Sequence, residues 1–190
     1  MKPTLILVFP SRLGWMAIVT AGKTLQRLTF GHPTAAAAKA AITKLWGGNC
    51  TDIHVIRPKR GLKTGRLSRQ DPSADGVNAI VGRLQAYAAG RPDDFRDIRL
   101  DPGPVRAFQQ RVLAECRRIP YGSTATYAEL AAKAGSPGAA RAVGNCMAGN
   151  PIPLVIPCHR VVCSDGQVGS YSAPGGSKTK IRLLWLESNR

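Results

Sequence analysis

The sequence predicts an α+β protein in two parts, a small N-terminal sheet-and-helix domain over residues 1–100 and a mainly helical domain over residues 101–190. Three observations carry this. Residues 4–9, 15–20 and 24–30 are apolar or alternating and are punctuated by turn signals such as Ala21-Gly22, as strands are. From Pro104 onward the apolar spacing becomes that of helices. Between them, residues 92–104 are acidic and then rich in turn formers, which places a boundary near residue 101. A length of 190 residues suits one large or two small domains. With 44 % hydrophobic and 20 % charged residues the chain can bury a core without staples.

Each element follows from its residues. Pro33 opens an alanine-rich helix that runs to Trp46 and stops at Gly47-Gly48. Residues 50–56 are apolar enough for a short strand. Residues 57–69, basic and glycine-bearing, read as an exposed connection that adds phosphate contacts or simply stays solvated. A helix is predicted over 77–88, ended by Gly90. Another runs over 104–118 with proline in its first turn, and Ile119-Pro-Tyr-Gly122 breaks it. Short helices over 126–134 and 139–147, joined by Gly135-Ser-Pro-Gly138, suggest a helix-turn-helix. A last helix is predicted over 178–187.

Charge bounds the partners. Lysine and arginine outnumber acids 27 to 11, for a net charge of +16 and a pI near 10.5. Such a field attracts polyanions, and nucleic acid is the first to consider. The alternatives are a highly charged solvated surface or binding to anionic lipid. The latter wants a basic amphipathic helix with exposed aromatics, and none is evident. No apolar run approaches the roughly 20 residues of a membrane span. The N-terminal stretch Met1-Lys-Pro-Thr-Leu-Ile-Leu-Val-Phe-Pro10 fits a first strand better than a signal peptide. A cytoplasmic protein is expected, nucleoid-associated if bacterial.

Cysteine usage agrees with that expectation. The five cysteines are odd in number and widely spaced, unlike a secreted disulfide framework. Cys116, on one helix face with Phe108, Val112 and Leu113, reads as core, as does Cys146 beside Val143 and Met147. Cys158 is different. It sits in Ile156-Pro-Cys-His-Arg-Val-Val162, against a histidine and between a proline and an arginine. A thiol there is either packing or a nucleophile. In the second short helix, Ala139-Ala-Arg-Ala-Val-Gly144 surrounds one arginine with small residues. Small residues allow close approach to a groove. A surface arginine on a packed helix is the plain alternative.

Together these residues resemble the O6-alkylguanine-DNA alkyltransferases. The resemblance rests on Pro157-Cys-His-Arg160 with Val161-Val162, on Gly149-Asn-Pro151, and on Thr126-Tyr-Ala-Glu-Leu-Ala131 with Ala139-Ala-Arg-Ala-Val-Gly144. It extends over residues 95–187 and is loose before that. It implies a ribonuclease-H-like first domain and a winged-helix-like helix-turn-helix in the second. It implies a monomer that binds double-stranded DNA in the minor groove. There it flips out an O6-alkylated guanine and takes the alkyl group onto its own cysteine, without cofactor or metal, once per molecule. By resemblance Cys158 is the acceptor, and Asn150, His159 and Glu187 are the polar chain around it. Tyr127 helps rotate the nucleotide and donates a proton to guanine N3. Arg141 fills the gap in the duplex, with Ala139, Ala140 and Gly144 beside it on DNA. Tyr171, Ser172 and Val161 line the base pocket.

The chemistry suits those residue types. A free thiol with a pKa near ~8.5 is a few per cent thiolate at neutral pH. A histidine held by a carboxylate can take its proton. Protonating guanine N3 spares the leaving group from departing as an anion. Flipping costs a few kcal/mol of stacking, part of which an inserted arginine recovers. Two features depart from the family pattern. Tyr171-Ser-Ala-Pro-Gly-Gly-Ser177 is longer than the usual loop by about two residues, a cheap insertion. The zinc site of some members has only His32, Cys50 and His54 to draw on here, so no metal is predicted. Cys163, five residues past Cys158, is expected to be a buried second thiol, with a dithiol site as the alternative.

Three rivals remain at this stage. A lesion-sensing relative without activity would replace the acceptor thiol, typically by tryptophan, and Cys158 is present. A cysteine hydrolase would want a thiol and histidine that face each other, which adjacent residues rarely do, and oxyanion-hole glycines before the thiol, which are lacking. An ordinary helix-turn-helix regulator would place long polar readers where Ala139 and Ala140 stand.

Overall fold

The computed structural model describes residues 4–47, 52–56 and 74–188. The chain forms two compact units, Met1–Asp93 with Asp97–Pro102, and Asp94–Arg96 with Gly103–Arg190. The basic segment 57–69 lies outside the described residues. Among those described, no helix is long and apolar enough to cross a membrane.

The first unit is built on a five-stranded sheet in the order β4-β1-β2-β3-β5. Strands β1 (Thr4–Ser11), β2 (Gly14–Ala21) and β3 (Thr24–His32) form an antiparallel meander. Strand β4 (Asp52–Val55) pairs parallel with β1, and β5 (Arg99–Leu100) pairs parallel with β3. Side chains alternate across the sheet. Ile6, Val8, Ala17 and Val19 therefore share one face, where helix α1 (Ala35–Trp46) lays Ala38 and Ile42 on them. Leu5, Leu7 and Phe9 point the other way and are also buried. Helix α2 (Ala74–Ala88) packs against β1.

Helix α1 starts two residues later than Pro33 suggests. Thr34 is its cap, with Oγ1 accepting from Ala37 N at 3.1 Å, so proline stands outside the helix. Strand β5 was not foreseen, because two residues hold no readable pattern. At the metal candidates, His32 Nε2 bonds Thr29 Oγ1 at 2.7 Å, and Cys50 lies outside the described residues.

The second unit is mainly helical. Helix α3 (Ala107–Arg117) buries Val112, Leu113 and Cys116. Pro104 lies ahead of it rather than in its first turn, and Arg106 supplies no side-chain cap. Helices α4 (Tyr127–Lys133) and α5 (Ala140–Ala148) follow across a tight turn, and α6 (Ser177–Ser188) closes the chain. Strands β6 (Ala125–Thr126) and β7 (Val161–Val162) pair in parallel. They join the start of α4 to the residues just after Cys158, a link too short to read from sequence.

Candidate active site around Cys158

Two local devices set the α4–α5 corner. Thr126 and Glu129 form a reciprocal capping box: Thr126 Oγ1 accepts from Glu129 N at 3.1 Å, and Glu129 Oε2 accepts from Thr126 N at 2.7 Å. This fixes the first residue of α4, Tyr127. At the other end Ser136 N donates to Ala131 O at 2.9 Å while Gly135 takes a φ of 73°, a left-handed turn suited to glycine. Helix α5 then begins at Ala140, and Ala139 before it supplies no side-chain cap. Its buried side is Val143, Cys146 and Met147; Arg141, Ala142, Asn145 and Ala148 face outward.

Cys158 is placed by the apolar run before it. Ile156 N donates to Ile152 O at 2.9 Å, and Leu154 takes a φ of 71°. A β-carbon disfavours that conformation, so the tight turn is imposed by its surroundings. Asn150 ties the turn together. Its Oδ1 accepts from Ile152 N at 3.0 Å, and its Nδ2 donates to Ile156 O at 2.8 Å and to Cys158 Sγ at 3.1 Å. Cys158 opens a short 3-10 turn, Cys158–Arg160, whose three residues are all buried.

The sulfur forms part of the wall of a cleft of about 490 Å³. Tyr127, Ala140, Arg141, Gly144, Cys163, Gly169, Tyr171 and Ser172 line it with the sulfur. The Tyr171 hydroxyl is 3.9 Å from Sγ. Burial pushes the Cys158 thiol above its ordinary pKa, against the pull of Asn150, Tyr171 and the Lys180 charge.

Behind the cysteine runs a buried polar chain. His159 Nε2 is 2.9 Å from Glu187 Oε1. Arg160 forks onto the same carboxylate, Nε to Oε2 and Nη2 to Oε1, each at 2.9 Å. Glu187 Oε2 also accepts from Gly122 N at 3.2 Å. Burial pushes the carboxyl up, but the donors outweigh it and hold Glu187 down at about 2. Burial holds His159 below its ordinary pKa, with Glu187 opposing and Arg160 adding to the fall. An ionised carboxylate only accepts, so His159 carries its proton on Nε2 and Nδ1 is the basic nitrogen.

Sequence reasoning missed Lys180. It is fully buried, and its Nζ donates to Val161 O at 2.5 Å and to the Tyr127 hydroxyl at 3.4 Å. The ammonium also stands 5.5 Å from the centre of the Tyr127 ring. Burial lowers the Lys180 pKa and raises that of Tyr127. Nothing in Ser177-Lys-Thr-Lys180 distinguishes this lysine from exposed Lys178. Arg160 belonged to the quoted motif, but its partner, Glu187, lies 27 positions away.

The structure thus brings Cys158, Tyr127, Arg141, Ala140, Gly144, Tyr171 and Ser172 to one cleft. Asn150, His159 and Glu187 stand behind its wall. Val161 is buried with its carbonyl on Lys180, apart from the lining residues, and Ala139 is likewise outside them. Cys163 differs from expectation. It is half-buried and lines the same cleft as Cys158.

The chain is similar to known proteins over most of its length. Residues 107–189 match the model of the 6-O-methylguanine DNA methyltransferase DNA-binding domain. The methylated-DNA–protein-cysteine methyltransferase of Mycobacterium tuberculosis is 43 % identical over 119 residues, covering 63 % of this chain and 70 % of that protein. Its namesake from Methanothermobacter thermautotrophicus is 43 % identical over 143 residues, 75 % and 77 % of the two chains. The crystal structure of the M. tuberculosis protein in complex with DNA superposes with a TM-score of 0.67 at 31 % identity, over 97 % of this chain and 92 % of that one.

Proposed function

The chain belongs to the methylated-DNA–protein-cysteine methyltransferase family, and on that premise we propose that it repairs DNA by taking an alkyl group from O6-alkylguanine onto Cys158, once per molecule. The observation that carries this is a buried sulfur reached through a cleft rimmed by Arg141, with Asn150 Nδ2 at 3.1 Å ready to stabilise its anion.

The reaction is an in-line displacement. His159 Nδ1 takes the thiol proton, directly or through a water, and Glu187 stabilises the imidazolium. Sulfur bonds the alkyl carbon as the carbon–O6 bond breaks with its electron pair left on guanine. The Tyr127 phenol, beside Lys180, gives N3 a proton, and the thiol proton replaces it at the end. The products are an alkylated cysteine and an unmodified guanine still joined to its sugar in DNA. Nothing in this sequence breaks the new thioether, so turnover stops at one.

Recognition is by backbone and shape. We read α4 and α5 as a winged-helix-like helix-turn-helix laid in the minor groove, with the first unit ribonuclease-H-like. The outward face of α5 offers one long side chain, Arg141, to fill the space of an extruded base. Its uncapped first turn leaves N–H groups for a phosphate. Ala139, Ala140 and Gly144 let the backbone approach, and Tyr171 and Ser172 meet the flipped base. The net charge of +16 supplies affinity at any sequence. The protein acts as a monomer in the cytoplasm.

Intact-mass spectrometry tests the proposal. After incubation with a duplex containing O6-methylguanine, one methyl mass should appear on the Cys158 peptide, and Cys158→Ser should gain none. Binding of that duplex without any gain of mass would reduce the protein to a passive lesion reader.

A further inference from the structure

The Arg160–Glu187 fork extends one residue further, to a group the mechanism above does not use. With Nε and Nη2 committed to Glu187, Arg160 turns Nη1 to the Ile119 carbonyl at 2.6 Å and to Asp94 Oδ1 at 3.3 Å. Asp94 lies in the three-residue segment Asp94–Arg96, which clusters with the second unit. Asp94 Oδ1 also accepts from Tyr121 N at 2.8 Å, and its Oδ2 is 3.9 Å from Arg96 Nε. The segment is anchored apart from the carboxylate. Arg117 Nη2 donates to the carbonyls of Phe95 and Arg96 at 3.0 and 3.1 Å, and Phe95 takes a φ of 51°.

We propose that Asp94 is a positioning residue for alkyl transfer, acting through Arg160 and Glu187 on His159. This rests on the reading of Cys158 as acceptor. Two arguments support it. The first is geometric. A guanidinium is a rigid plane, and pinning Nη1 while the opposite edge holds Glu187 fixes the carboxylate that orients the imidazole. The second is charge. The cations Arg160 and Lys180 disfavour a further buried cation on His159, and the Asp94 carboxylate on Arg160 Nη1 offsets part of the Arg160 charge as the thiol proton arrives. The charged and titrating groups around His159 are then all accounted for: Glu187 and Lys180 from α6, Cys158 and Arg160 from its own turn, and Asp94 with exposed Arg96 beyond.

The test is single-turnover transfer from an O6-methylguanine duplex at saturating DNA, followed by mass against pH, for the full chain and three variants. Asp94→Asn keeps an acceptor for Tyr121 N and removes only the charge. It should slow transfer about tenfold, move the rate profile to lower pH because the imidazole becomes a weaker base, and leave duplex affinity unchanged. Asp94→Glu should recover most of the rate. Arg117→Ala loosens the same segment without touching the carboxylate and should stay within about twofold of the parent. A native rate and profile in Asp94→Asn would overturn the proposal, as would equal slowing in Arg117→Ala. If the parent protein takes up no methyl, it is the acceptor reading that fails. Asp94 is then judged by iodoacetamide labelling of the Cys158 peptide against pH, where identical curves for parent and Asp94→Asn overturn it.

Discussion

Arg160 and Glu187 close on each other as a two-bonded fork, with side chains only 2 % and 1 % exposed. A buried pair of this kind costs desolvation on both sides, so losing one partner is worse than losing both. Arg160→Ala should destabilise the chain by about 3–5 kcal/mol in urea unfolding. Arg160→Met combined with Glu187→Leu should cost less than the two single changes added together. A strictly additive double mutant would show that the fork contributes no coupling.

The same carboxylate makes stability depend on acid. Glu187 is held at about 2 in the folded chain, against about 4.3 for a free glutamate. A lowered carboxyl stabilises the fold above the unfolded value, and that stabilisation drains away as pH falls towards the folded one. Between about pH 4.3 and 2 this group alone should remove on the order of 1.4 kcal/mol of stability per pH unit. Denaturant titrations of the parent and Glu187→Gln should diverge above this window and converge below it. Parallel curves across it would refute the assignment.

Asn150 acts on structure and thiol together. Asn150→Ala removes donors from Ile156 O and Cys158 Sγ and the acceptor for Ile152 N. A loss of about 1–3 kcal/mol in unfolding free energy is expected. Because the amide favours the thiolate, the Cys158 pKa should climb further. Transfer should therefore be slower at neutral pH and recover in part as pH rises. A slowed rate that ignores pH would locate the effect in packing alone.

Arg141 is exposed and stands one helical turn from Asn145 on α5. Arg141→Ala should leave unfolding free energy within about 0.5 kcal/mol of the parent. It should slow repair of a duplex far more than reaction with a free O6-alkylguanine base, which needs no extrusion. Equal slowing with both substrates would remove its flipping role.

The meander β1–β3 was legible because each strand presents several alternating apolar residues between turn signals. Helices α1 and α3 to α5 were legible in outline, although the starts of α1 and α3 were misread. Pro33 and Pro104 suit a first helical turn, yet in both places the chain runs on before the helix begins. In α1 the start is set by the side-chain bond of Thr34. The β6–β7 pair and β5 were unreadable, since two residues carry no period. At the site, Cys158, His159 and Asn150 stand close together in sequence and could be found there. Lys180 and Asp94 could not. Their roles depend on which way a helix faces and on where a short acidic loop lands, and both are decided by packing across long stretches of chain.

The depth of Cys158 has a last consequence. With the residue only 3 % exposed, small soluble electrophiles meet the sulfur rarely, whereas the proposed reaction would bring a purine to it through the cleft. A reagent that is used up by a single event benefits from that reticence. The stock of competent molecules in a cell is then spent on damaged bases and survives the background of stray alkylating metabolites.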